Sequence, residues 1–142
     1  VAVAASNLGR TLTDLGRFDE AEVVLRQALE IRREVYGSMH PRVAVVISRL
    51  ATVERLRGRP EQALPLYQQA HDIRRRVFDP GHPEIGNSLR QLAGCLIDLG
   101  RLDQAAEVLE EAIDILDAAG RGPDAEKARS MLRGLDRSRL LG

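Results

Sequence analysis

Shifted by 42 residues, the sequence aligns with itself twice and needs no gap. Leu8 meets Leu50 and Leu92, and Gly16-Arg17 meets Gly58-Arg59 and Gly100-Arg101. Ala21 meets Ala63 and Ala105, Ala28 meets Ala70 and Ala112, and Ile31 meets Ile73 and Ile115. His40-Pro41 meets His82-Pro83. A period of this size marks a stack of supersecondary units, each too small to bury its own apolar face.

Each copy reads as two helices. In the first copy Val1, Ala5, Leu8, Leu12 and Leu15 make one helical stripe. Gly16 ends it, as a residue free to take positive φ. Asp19, an N-cap type of residue, is expected to open the second helix, whose apolar positions are Ala21, Val24, Leu25, Ala28, Ile31 and Val35. Gly9, Ala51 and Ala93 share one position, as do the alanines of the second helices, so backbones can approach closely there. Strand alternation is absent.

The pattern Leu8-Gly9, Leu12, Gly16-Arg17-Phe18, Ala21, Leu25, Ala28 resembles the tetratricopeptide repeat (TPR). That unit is usually about 34 residues long. The longer period, the extended second helix through Gly37 and the closing His40-Pro41 are similar to the kinesin-light-chain variety, over residues 1 to about 119. The resemblance implies an all-α, right-handed α-solenoid. Its hairpins would be residues 1–42, 43–84 and 85–122, with a capping helix at 123–138 in a single domain. The third loop, Gly120-Arg121-Gly122-Pro123-Asp124, lacks the His-Pro pair. Ala125, Ala128, Met131 or Leu132, and Leu135 then form a last apolar stripe, with Glu126, Lys127, Arg129, Arg133 and Asp136 opposite and Leu140-Leu141-Gly142 as a frayed tail. The start at Val1 suggests a piece of a longer protein, and one lysine among 21 basic residues hints at a GC-rich bacterial gene.

Charge narrows the function classes. Lys and Arg number 21, as do Asp and Glu, so nothing favours nucleic acid or an anionic membrane. No apolar run suits a transmembrane helix and no signal peptide is visible, so a cytoplasmic location is expected. Neither a phosphate loop nor a catalytic constellation is recognisable, and an enzyme is not expected. No cofactor is implied.

Individual residues have structural readings. His40 and His82 lack a third metal ligand at matching spacing, and are expected to shape their loops with the prolines. Cys95 reads as a small packed side chain rather than the partner of a nucleophilic pair with His71. Pro65 is expected to kink its helix mildly. Arg32-Arg33 and Arg74-Arg75-Arg76, among Glu30, Glu34, Asp72 and Asp79, read as a solvated face with i, i+4 pairs.

The first helices carry a second stripe, away from the core. It holds Val3, Ser6, Arg10, Thr13 and Asp14 in copy one, Val45, Ser48, Thr52, Arg55 and Leu56 in copy two, and Asn87, Arg90, Gly94, Ile97 and Asp98 in copy three. In the resembled family these helices line a concave surface that holds ligands. Candidate groove residues are therefore Ser6, Arg10, Thr13, Asp14, Ser48, Thr52, Arg55, Asn87, Arg90 and Asp98. Their arginines suit an extended peptide or protein segment with acidic groups and an apolar anchor. The expected function is a non-catalytic protein-interaction module. The alternatives are a structural spacer that self-associates through the first repeat, and the sensor arm of a bacterial signalling ATPase or transcription regulator.

Overall fold

The computed structural model describes residues 2–141, all-α, with helices α1 (Ala2–Asp14), α2 (Phe18–Tyr36), α3 (Pro41–Leu56), α4 (Pro60–Val77), α5 (Pro83–Asp98), α6 (Leu102–Ala118) and α7 (Gly122–Leu141). Val1 and Gly142, placed above in the first stripe and in the tail, lie outside the described residues. The contacts divide the chain into two compact units, residues 1–77 and 78–142.

The hairpin turns follow from glycine. Gly16, Gly58 and Gly100 take φ of 77°, 80° and 75°, where a side chain would strain the backbone. After each, the next amide closes the preceding helix: Arg17 N–H donates to Leu12 O at 2.8 Å, Arg59 to Glu54 O at 2.9 Å and Arg101 to Leu96 O at 2.9 Å. The three turns are thus one Schellman motif used three times. Helix α2 begins at Phe18, one residue before the expected Asp19. Its N-cap, Arg17, makes no side-chain cap bond. Asp19 instead pairs across to Arg57 at 2.7 Å, so its charge sits in the first turn, where the helix dipole favours it.

In the first unit α1 packs on α2, α2 on α3, and α3 on both α4 and α1. Leu12, Leu25, Val43, Val46, Ile47, Leu50, Val53 and Ile73 form its core. The predicted first stripe is only partly buried. Leu12 is covered, whereas Leu8 is 50% and Leu15 66% exposed. Leu8's counterpart Leu50 is 4% exposed, and α3, which carries it, packs on α1 and α2 of the preceding hairpin as well as on α4. Val35, expected among the apolar positions of α2, is also exposed. Helix α4 runs through Pro65 without a break.

In the second unit α6 packs on both α5 and α7. Ile85, Leu89, Leu96, Leu109, Leu116 and Leu135 are buried there, along with Ala125 and Ala128 on one side of α7. The opposite side carries Glu126, Lys127 and Arg133 outward. Arg129 pairs with Asp117 of α6, and Arg133 with Glu126 at 2.7 Å. The helix extends through Leu141, beyond the expected end at 138.

Candidate functional site

In the first unit the second stripe of α1 and α3 is mixed in exposure. Arg10 and Asp14 are exposed on α1, and Thr52 and Arg55 are half-buried on α3. Ser6, Thr13 and Ser48, expected at the surface, are buried instead. Thr13 Oγ1 donates to Gly9 O at 2.7 Å, and Ser48 Oγ to Val45 O at 3.0 Å. Short hydroxyl side chains in a helix turn back to the carbonyl three or four residues earlier, which draws them into the wall. Thr52 Oγ1 donates to Ser48 O at 3.0 Å and lies 2.7 Å from the Tyr67 hydroxyl on α4. Thr13 and Ser48 thus shape the face and offer a ligand little, whereas Thr52 stays half-buried at its surface.

Ser6 has a different partner: Arg49 of α3 donates to its hydroxyl through Nη1. Arg49 is half-buried and was not foreseen, because its counterparts are Asn7 and Gln91 and no pattern marks it. Burial chiefly, then the charges of Arg10 and Arg32, hold its pKa below the ordinary arginine value. Arg32, expected on a solvated face, is 6% exposed on α2. Its Nη1 donates to Arg42 O at 2.7 Å, while its buried Nε has no hydrogen-bond partner among the described residues. Burial, and secondarily Arg42, lower its pKa too, with Tyr36 opposing. Arg74, the repeat counterpart of Arg32, is 5% exposed and reaches Ser48 Oγ at 3.5 Å. The repeat does not separate the two sets, since Arg33 and Arg75 recur at one position just as Arg32 and Arg74 do; Arg33, Arg75 and Arg76 are exposed as expected.

In the second unit Asn87 and Arg90 are half-buried on α5, Arg90 Nη2 donating to Asn87 Oδ1 at 3.4 Å, and Asp98 is exposed. Arg90 Nε is buried with no hydrogen-bond partner among the described residues. Cys95 is fully buried, so its thiol meets no solvent. His71 is buried on α4.

The two loop histidines are helix caps. His40 Nδ1 accepts from Arg42 N–H at 3.1 Å, and His82 Nδ1 from Glu84 N–H at 3.1 Å. Each imidazole nitrogen that faces the helix is therefore used as an N-cap acceptor. No helix among the described residues is long and apolar enough to cross a membrane.

A sequence profile described as Tetratricopeptide repeat matches residues 1–64 and again 42–118. No curated protein matches the chain. Among solved structures, the nearly identical TPR-like repeats assigned to a Podosopora anserina kinesin light chain superpose with a TM-score of 0.75 at 22% identity, covering 93% of this chain and 68% of that one. PcrH from Pseudomonas aeruginosa, in complex with the chaperone binding region of PopD, gives 0.70 at 20% identity over 96% and 91%. The first TPR of Spaghetti (RPAP3), bound to the HSP90 peptide SRMEEVD, gives 0.71 at 14% identity over 98% and 93%.

Proposed function

The chain belongs to the tetratricopeptide repeat family, and on that premise we propose that it is a non-catalytic module that binds a peptide or protein segment along the first helix of its repeats. One observation carries the reading. The polar side chains that α1 and α3 leave at the surface of the first unit, Arg10, Asp14, Thr52 and Arg55, lie on a single stripe backed by buried hydroxyls. In the second unit, Asn87, Arg90 and Asp98 stand at the repeat-equivalent stripe positions of α5. Similar folds hold a polypeptide: PcrH the chaperone binding region of PopD, and the RPAP3 repeat an HSP90 peptide. Arginine supplies paired N–H donors for carboxylates, so acidic segments with an apolar anchor suit this stripe best. Random peptide display tests it, with Arg55→Glu and Arg90→Glu variants in parallel. Enrichment of acidic motifs, lost in either variant, supports the reading. Equal enrichment in wild type and variants contradicts it.

A second reading has its own observation. Leu8, Leu12, Val23 and Val24, with the stems of Arg17 and Glu20, line a cleft of about 490 Å³ on the first unit. Leu8 and Val23 are each half exposed or more. This apolar surface suits self-association, in which the protein acts as a spacer. Sedimentation across a hundredfold concentration range tests it. A mass that rises with concentration, and falls back in Leu8→Gln, supports this use; a constant monomer mass contradicts it.

A further inference from the structure

The junction between α2 and α3 depends on one nitrogen lone pair. His40 Nδ1 accepts from Arg42 N–H at 3.1 Å and so caps α3. A ring nitrogen that accepts carries no hydrogen, so the hydrogen of the neutral ring sits on Nε2. The face of the same ring lies on Tyr36, the last residue of α2, with centres 4.3 Å apart. One imidazole therefore ties the end of one helix to the start of the next. Two further side-chain bonds cross this junction. Arg32 Nη1 donates to Arg42 O at 2.7 Å, and Arg42 Nη1 to the Tyr36 hydroxyl at 2.9 Å. Arginine and tyrosine keep their protons throughout the neutral range. Of the three bonds, only that of His40 can be removed by a proton between about pH 5 and pH 8.

A proton on His40 acts on the junction twice. An imidazolium has two donors and no acceptor, so it cannot cap Arg42 N–H. It also sets a positive charge at the positive end of the α3 dipole. The surroundings do little to steady that charge. The end of α2 carries Arg32, Arg33 and Glu34, and the first turn of α3 carries Arg42, three guanidiniums against one carboxylate. The face of an aromatic ring attracts a cation, but the Tyr36 ring already has the Arg42 guanidinium 5.3 Å from its centre. Nor can the turn fray at no cost. Val43 and Ala44 within it are fully buried in the core of the first unit. Losing the cap is therefore felt as stability of that unit.

We propose that His40 is an acid-sensitive clasp between α2 and α3, closed while its ring is neutral and released when Nδ1 takes up a proton. The sign follows from the chemistry of the bond. The cap needs the neutral ring, so its contribution to stability is present at higher pH and is lost as the pH falls. The clasp is independent of the polypeptide-binding reading above and stands or falls without it. His82 repeats the cap and the stacking at the start of α5, but has Glu84 where α3 has Arg42. A carboxylate in the first turn favours an imidazolium where a guanidinium opposes it, so His40 is the more sensitive of the two.

The test is urea unfolding of the full chain at about pH 7.5 and about pH 5.5, in wild type and in His40→Asn. Asparagine restores a cap acceptor that no proton removes in this range. His71 and His82 are present in both proteins, so their own response to pH cancels in the comparison. Tyrosine fluorescence follows the first unit by itself, because the chain has no Trp and its two tyrosines, Tyr36 and Tyr67, both lie there. The expected result is that acid raises the unfolding constant of wild type about fivefold more than that of His40→Asn, the worth of one cap. The same pH dependence in both proteins overturns the proposal. A second measurement needs only wild type. Nitrogen-15 NMR of the ring at about pH 7.5 should show Nδ1 without a hydrogen, and the Arg42 amide proton should move upfield as the ring takes up its proton. A hydrogen already on Nδ1, or an Arg42 amide indifferent to the state of His40, overturns the clasp whether or not the variant folds.

Discussion

His82 lies flat on Phe78, ring centres 3.9 Å apart and planes 13° apart, and one repeat earlier His40 lies on Tyr36 in the same way, at 4.3 Å and 21°. Each histidine therefore works in two directions. Its face packs on the aromatic ring that closes the longer helix, and its Nδ1 caps the helix that follows. The proline after it sits at the first helical position, where its missing N–H costs nothing. Together these contacts explain the lengthened second helix, whose last turn supplies the ring in the first repeat.

His40→Ala removes both the cap and the stacking. The expected loss is about 1.5–2.5 kcal/mol in urea unfolding, from a cap of about 1 and a ring contact of about 0.5–1.5. His40→Asn restores a cap acceptor and should recover roughly half of that loss. Equal losses in the two variants would remove the cap from the explanation.

Leu50 and Leu8 are repeat counterparts with opposite environments, 4% and 50% exposed. Leu50→Ala should cost about 2–5 kcal/mol, as for other buried leucines. Leu8→Ala should cost within about 0.5 kcal/mol, as at surface positions. Similar losses from the two, measured by chemical unfolding, would contradict the packing described here.

Gly9 and Gly134 make a matched pair of tests. A Cβ on Gly9 would stand 2.5 Å from Leu25 Cγ, and Leu25 is fully buried. Gly9→Ala should therefore destabilise by about 1–3 kcal/mol, the usual cost of overpacking. Nothing lies within 4 Å of a Cβ on Gly134 in α7. Gly134→Ala should stabilise by about 0.5–1 kcal/mol, since glycine is the weaker helix former. Melting curves of the two variants should shift in opposite directions.

On α7 the hydrogen bond and charge of Arg133, with help from Arg129, hold the Glu126 carboxyl below its ordinary 4.5. A lowered folded-state value means that the contribution of the ionised group is present above the ordinary value. It is lost as the pH falls through the lower one. NMR titration of the carboxyl carbon should place Glu126 below 4.5, and Arg133→Gln should raise it. A carboxyl unmoved by that substitution would contradict the pairing.

The repeat made the hairpins legible because one turn chemistry, glycine at positive φ followed by arginine, recurs at Gly16, Gly58 and Gly100. It could not show that Leu8 and Leu50 differ, because burial depends on the neighbour in the stack and not on the residue. The candidate face was legible in its spacing and less so in its depth. Ser6, Thr13 and Ser48 have the right phase, yet their hydroxyls are drawn into the wall. Arg32 looked like its exposed neighbour Arg33, and only the fold separates the buried guanidinium from the solvated one. Arg49 stands where the other copies have Asn7 and Gln91, so no repeat pattern announced it.

The most direct measurement is amide chemical-shift mapping of the protein with a peptide taken from the display selection. The expected result is a set of shifts centred on Arg10, Asp14, Thr52 and Arg55 of the first unit, and on Asn87, Arg90 and Asp98 of the second. Shifts confined to the cleft of Leu8, Val23 and Val24, or to the charged surface of α7, would contradict the assignment of the first helices as the binding face.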